Sequence, residues 1–198
     1  MATKPDSQEV CFVPGADHGA FLAAHAPDEL YLTGGLVSVA PKPGGAAPGA
    51  PLPGRYVAIE AVYSDEPGKG ERVLEPLAKF GKPVAGKIIA KNFVDAQNGF
   101  TGASPPALPA GLGVYVKSGF VNAFPEKLIG ETIDAFETGP EWMDHIGFGL
   151  CAGAVARIKP DATAYWNREA QWDLLLAGAW ADHSQDQHNA AVLHDVWK

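Results

Sequence analysis

Hydrophobic and polar positions along the 198 residues follow two rhythms. Alternating or unbroken β-favouring runs, bounded by Gly, Pro, Asn or Asp, occupy residues 10–13, 30–39, 56–63, 114–120, 145–150, 154–158 and 172–180. Runs of that length and make-up predict about seven strands. Helical spacing appears in three places. Residues 66–80 follow Ser64-Asp65, carry Pro67 in the first turn, place Val73, Leu77 and Phe80 on one face and stop at Gly81. Pro76 inside this segment has no amide hydrogen to donate, so it should bend or shorten the last turn. Residues 125–137 align Ile129, Ile133 and Phe136, and residues 184–197 open with Ser184 and Gln187 at capping-box spacing before Ala190, Leu193 and Trp197. A shorter helix is expected over 17–25.

Several strand-to-strand steps leave no room for a crossover helix. The expected class is therefore α+β, with a mostly antiparallel sheet of about seven strands and helices packed on one face. The other face would be free to close over something. Two Pro/Gly/Ala-rich stretches, 41–54 and 99–113, read as loops rather than domain boundaries. Residues 1–9 are polar and expected to be disordered, leaving 10–198 as a single domain.

The formal net charge of −8 argues against a nucleic-acid surface, which needs clustered Lys and Arg to displace counterions. No basic, apolar leader opens the chain and no apolar window reaches about 18 residues, so neither a secretory signal nor a membrane span is read, and the cytoplasm is the expected address. Cys11 and Cys151 lie far apart in apolar stretches, which favours reduced, buried thiols over a disulfide.

Metal and nucleotide chemistry find little support. His183, His188 and His194 are separated by five and six residues, whereas a shared helical face needs three or four. Gly68-Lys69-Gly70 lacks the rest of a phosphate loop, and Gly111-Leu112-Gly113 and Gly147-Phe148-Gly149 lack the third glycine and helix of a dinucleotide fingerprint. Asp134 with Glu137, and Glu141 with Asp144, read as a solvated helix face and a turn.

The segment GAVARIKPDATAYWNREAQWDLLLAGAW, from Gly153 to Trp180, is more specific. It resembles a late segment of berberine bridge enzyme-like, FAD-linked oxidases of the vanillyl-alcohol oxidase group: a Gly-Ala-Val-Ala-Arg strand, an Asp-Ala-Thr-Ala loop, an aromatic-His-Arg triplet and a strand closing on Trp. The run from Glu71 to Leu77 is similar to the family's Gly-Glu-Arg-Val-Leu-x-Pro-Leu helix. The run from Tyr115 to Phe120 is similar to its aromatic-Trp-Lys-Ser strand, and the run from Ala26 to Leu30 to its helix exit into the sheet. These matches come in family order.

The resemblance implies a C-terminal substrate-binding domain, whose sheet roofs a flavin held by an N-terminal domain. That FAD-binding domain and the family's C-terminal tail are not recognised here. FAD is therefore expected from a partner domain or subunit rather than bound by this chain alone, and the isolated chain is expected to be inactive. A small organic substrate would be oxidised in the assembled enzyme. The resemblance points to Tyr115, Lys117, Phe148, Asn167, Arg168 and Trp172 as the substrate-pocket lining, with no catalytic residue assigned and no metal. Three departures bear on catalysis. Asn167 replaces the family's His, so no titratable ring stands there. Leu174, Leu175 and Leu176 occupy a roof that often presents Gln or Tyr, and Cys151-Ala152-Gly153 replaces a Gly-Gly step. Plainer roles stay open: sheet packing for Tyr115 and Trp172, a snorkelling edge residue for Lys117, a clamp on Asp161 or Glu169 for Arg168. The rival readings are a non-catalytic α+β ligand-binding or assembly module, and a homodimer formed through an exposed sheet.

Overall fold

The structure is a computed structural model, and it describes residues 5–13, 27–39, 52–79, 83–86, 88–92, 94, 111–123, 125–151 and 153–198. It is an α+β fold with an antiparallel sheet and, among the described residues, three α-helices. The described residues fall into two compact units. Residues up to 34, with 39 and 52–94, make the first; residues 35–38 and those from 111 onward make the second.

In the first unit, β1 (Pro5–Val13) runs antiparallel to β3 (Gly54–Tyr63) from Ser7↔Tyr63 to Val13↔Val57, and to β4 (Ile89–Asn92) from Pro5↔Asn92 to Gln8↔Ile89. The first half of β2 (Leu30–Val39) borders β3 and buries Leu30 and Leu32. Ala61 and Tyr63, two residues apart on β3, are buried, while Glu60 and Val62 between and beside them point to the other side of the pleat. Helix α1 (Pro67–Ala78) packs on β1 and β3 and buries Leu74 and Leu77. Full burial of each leucine contributes roughly 1.5–3 kcal/mol. The helix passes through Pro76 and ends at Ala78, two residues before the expected 80, as a proline that deprives the last turn of a donor would dictate.

The second unit joins the rest of β2 to β5 (Gly113–Val121), helix α2 (Glu126–Thr138), β6 (His145–Leu150), β7 (Trp172–Trp180) and helix α3 (Asp186–Val196). Its strand order is β2-β6-β7-β5, with β7 antiparallel to both neighbours. Gly35 of β2 lies so close to β6 that a Cβ would sit 2.5 Å from the Ile146 carbonyl oxygen, so only glycine fits. Leu36, Phe136, Met143, Ile146, Trp172, Leu176, Trp180 and Leu193 form the core, with Trp142 edge-on to Trp180 at 5.3 Å.

Four sequence expectations are corrected. Residues 154–158 are not a strand: Gly153 turns the chain at φ 72° and Val155–Arg157 forms an exposed 3-10 turn with no sheet partner. A strand absent from the expectation, β4, exists because the β1 ladder satisfies its backbone although only four residues pair. For the same reason β1 starts at Pro5 rather than 10, despite polar side chains. The start of α3 is not capped by Ser184: Asp182 accepts from the Ser184 amide at 2.9 Å and caps a 3-10 turn, His183–Gln185, that leads into the helix. The expected helix over 17–25, most of the 41–54 and 99–113 loops and Phe80 lie outside the described residues.

Candidate functional site

Strand pairing in the second unit sorts side chains onto two faces. Trp172, Leu174, Leu176, Gly178 and Trp180 of β7 share one face with Ile146, Phe148 and Leu150 of β6 and with Tyr115, Lys117 and Gly119 of β5. Helices cover that face. Leu128, Glu131, Thr132 and Ala135 of α2 meet Ile146, Leu174 and Leu176 around a cleft of about 150 Å³, closed at one end by Val196 and Trp197. A Cβ at Gly119 would collide with the Trp197 ring, and one at Gly178 would crowd Leu193. Lys117 reaches into this helix layer: its Nζ is 3.0 Å from His194 Nδ1 and 5.6 Å from the Trp197 ring centre.

The opposite face carries Val114, Val116, Ser118 and Phe120 of β5, Asp173, Leu175, Ala177 and Ala179 of β7, and His145, Gly147 and Gly149 of β6. Val114, Val116 and Phe120 are exposed, Val116 by 54%. Two glycines shape this surface. The His145 ring lies where a Cβ on Gly147 would be, and the Asp173 carboxylate occupies the corresponding space over its cross-strand partner Gly149. Burial pushes His145 below the usual imidazole range, although Asp144 pulls the other way, and burial likewise raises Asp144.

The connection from 151 to 171 folds over one end of this face. Cys151 donates its amide to Gln171 O at 2.8 Å, which anchors the loop beside Asp173. Tyr165 stands edge-on to Phe120 at 6.3 Å, and the Arg168 guanidinium lies 4.7 Å over the Tyr165 ring while donating to Thr163 Oγ1. Trp166 at the loop tip is 75% exposed. Burial first, then the Asp173 charge, pushes the Cys151 thiol up; desolvation first, then Cys151 and Asp173, raises the Tyr165 phenol against the opposing Arg168 charge. Asp173 Oδ1 and Arg168 Nε are both shielded from solvent without a hydrogen-bond partner.

The six residues expected to line a pocket therefore do not share one surface. Tyr115, Lys117, Phe148 and Trp172 lie on the helix-covered face, whereas Arg168, and Asn167 beside it, belong to the loop that folds over the other. Lys117 is held by His194 and Trp197, not by a neighbour on the open face. The open-face groups Asp173, Cys151, Tyr165 and His145 carry a signal that sequence does contain: Gly147 and Gly149, one pleat apart, leave room beside large polar neighbours.

No group of three or more metal-ligating side chains occurs among the described residues. Among the described residues, each α-helix start already carries a carboxylate or a proline. Glu66 and Pro67 open α1, Pro125 and Glu126 open α2, and Asp182 and Asp186 stand at the start of α3. Carboxylates there compete with an anion for the same amides. No helix among the described residues is long and apolar enough to cross a membrane.

No protein-family profile and no curated protein matches the chain. Solved structures do. Aclacinomycin oxidoreductase superposes with a TM-score of 0.70 over 99% of this chain at 11% identity. The Physcomitrella patens BBE-like 1 protein gives 0.69 over 98% at 13%, and chitooligosaccharide oxidase 0.65 over 99% at 15%. The fold is shared with part of the berberine bridge enzyme-like, FAD-linked oxidases. This chain spans only 41%, 43% and 44% of those three structures, so it corresponds to a portion of the oxidase fold.

Proposed function

We propose that this chain is the substrate-side portion of an FAD-dependent oxidoreductase acting on a small organic molecule, with the flavin held by another domain or subunit. One observation carries the reading: within the second unit, the strand face turned away from α2 and α3 exposes Val114, Val116 and Phe120, a flat apolar surface suited to lie against a planar ring system. The likeness to oxidases whose length the chain only partly spans supports it, as do helix N-termini that already carry acidic or proline residues. Hydride acceptance from a C–H bond, the chemistry a flavin supplies, would then come from the partner. This chain would provide apolar cover and, through the loop of Asn167 and Arg168, polar contacts to the substrate. Asn167 and Arg168 would line the substrate side together with Asp173, Tyr165 and Cys151.

A second reading, a non-catalytic ligand-binding or assembly module, is favoured by Asn167, which cannot exchange a proton near neutral pH, and by Lys117, which is engaged with α3. One experiment separates them. The tagged chain is recovered from its native cell and passed through gel filtration while flavin absorbance is followed. Co-elution with a yellow partner, bleached by substrate, is the expected result. A colourless chain, alone or paired with itself, would leave the binding or assembly module standing.

A further inference from the structure

His183 stands where the lead-in to β5 meets the turn before α3, and both of its ring nitrogens face acceptors. Nε2 is 2.9 Å from the Gly111 carbonyl oxygen, and Nδ1 is 3.2 Å from Asp186 Oδ2. Bonds from Trp180 and then His183 hold the Asp186 carboxyl below its usual range, so it is ionised and, like the carbonyl, has no hydrogen to give. A neutral imidazole carries one N–H, which serves one of these partners and leaves a lone pair pointed at the other. Only the imidazolium donates to both. The groups around the ring favour that form: Asp186 of α3 and Asp182 of the turn are acidic, and the lead-in to β5 contributes the Gly111 carbonyl. The bond to Asp186, then the bond to Gly111, then the Asp186 charge hold the ring above the usual imidazole range.

Two further contacts decide which bond yields when the ring is neutral. Asp186 Oδ1 accepts from the Trp180 indole at 2.6 Å, over Gly113, where a Cβ would collide with both groups. The carboxylate is thus fixed to β7 in either state of the ring. Gly111 lies two residues before the first ladder pair, Gly113↔Trp180, and takes φ 89°, a conformation suited to glycine. A charged acceptor also holds a hydrogen more strongly than a carbonyl does. We infer that His183 is a proton-operated latch: as imidazolium it ties Gly111 to Asp186, and on losing a proton it keeps its hydrogen on Nδ1 for Asp186 and releases Gly111. What is freed is the entry to β5, which leads into the exposed Val114 at the margin of the open face. Helix α3 keeps its anchor on Trp180. The folded chain binds this proton more tightly than the unfolded chain does. The stabilisation is therefore complete below the ordinary imidazole value of 6.5 and is lost as pH rises through the raised folded value. The latch needs no flavin partner and is independent of the proposed function.

The test follows the histidine rings of the full chain by NMR from about pH 5 to 9, the His183 signal being assigned by its loss in His183→Ala. His183 is expected to titrate above 6.5 and to keep its hydrogen on Nδ1 beyond the midpoint. Amide exchange, corrected for its intrinsic pH dependence, should quicken at least about threefold from Gly111 to Val114 across that midpoint, and hold steady from Ala190 to Leu193. His183→Ala should show the fast exchange at every pH. Asp186→Asn preserves an acceptor for the Trp180 indole but offers Nδ1 a hydrogen, so the neutral ring turns its own toward Gly111. In that variant the midpoint should fall and the entry to β5 should stay protected on the alkaline side. Three results would overturn the latch: a midpoint at or below 6.5, exchange at Gly111 to Val114 that ignores the midpoint, or an Asp186→Asn variant that responds to pH as the unaltered chain does.

Discussion

The two faces of the second unit are made by the same three strands, residue alternating with residue, yet they behave as different materials. On the covered side the large polar side chains reach partners in the helix layer: Lys117 meets His194 and Trp197, and the Trp180 indole donates to Asp186 at 2.6 Å. On the open side apolar groups face solvent, two glycines make room for a carboxylate and an imidazole, and two buried polar atoms lack partners. Protein interiors seldom tolerate such loose ends, and where they persist the gain is usually functional rather than structural. The covered face accounts for why the unit folds; the open face is where stability has been given up.

That contrast can be broken most directly by truncating leucines one position apart. Leu176→Ala, on the covered face, should cost about 2–5 kcal/mol in urea unfolding. Leu175→Ala, its neighbour on the open face, should cost less than about 1 kcal/mol. Equal losses would mean that the open face is sealed in solution, for example by a second copy of the chain, and the proposed function would lose its support.

A smaller effect sharpens the role of the glycines. Gly149→Ala would force its methyl into the Asp173 carboxylate and should cost about 1–3 kcal/mol. Combining it with Asp173→Ala should recover most of that loss, a coupling that a double-mutant cycle reads directly. Additive losses would show that the glycine serves the backbone instead.

The smallest effect lies in the first unit, where Glu60 stands between the buried Ala61 and the apolar run before it. Burial raises its carboxyl from 4.5 to about 7. Between these values the folded chain binds the proton more tightly than the unfolded chain does, so stability falls as pH rises from about 4.5 and levels off above about 7. Glu60→Gln should flatten this slope, and at pH 8 it should stabilise the protein by no more than about 1–2 kcal/mol, since the group is only partly screened from water. An unchanged slope in denaturation measured across that range would show that Glu60 is solvated in solution.

Much of the fold was legible because periodicity is a local property. Helices at Val73 to Leu77, at Ile129 to Phe136 and at Ala190 to Leu193 announce themselves by spacing, and five of the strands by alternation. What sequence could not supply was which side of an alternating strand meets the helices. Tyr115, Lys117, Phe148 and Trp172 look chemical because they are large, aromatic or charged, but those same qualities make good packing partners for a helix layer, and the pairing of β5 with β7 assigns them there. Residues 154–158 read as a strand on composition alone; Gly153 and Pro160 on either side were the stronger evidence, since a turn at each end leaves no length for pairing. Asp173 went unnoticed because one acid among leucines resembles a register marker until its cross-strand partner proves to be a glycine.

The bond between Lys117 and His194 has a consequence for the covered side. An ammonium can only donate, so His194 must present the lone pair of Nδ1 and keep its hydrogen on Nε2, a single tautomer selected by a strand residue 77 positions away in the chain. The same ammonium stands 5.6 Å from the Trp197 ring centre, so one side chain of β5 ties down both a ring inside α3 and the indole that closes its end.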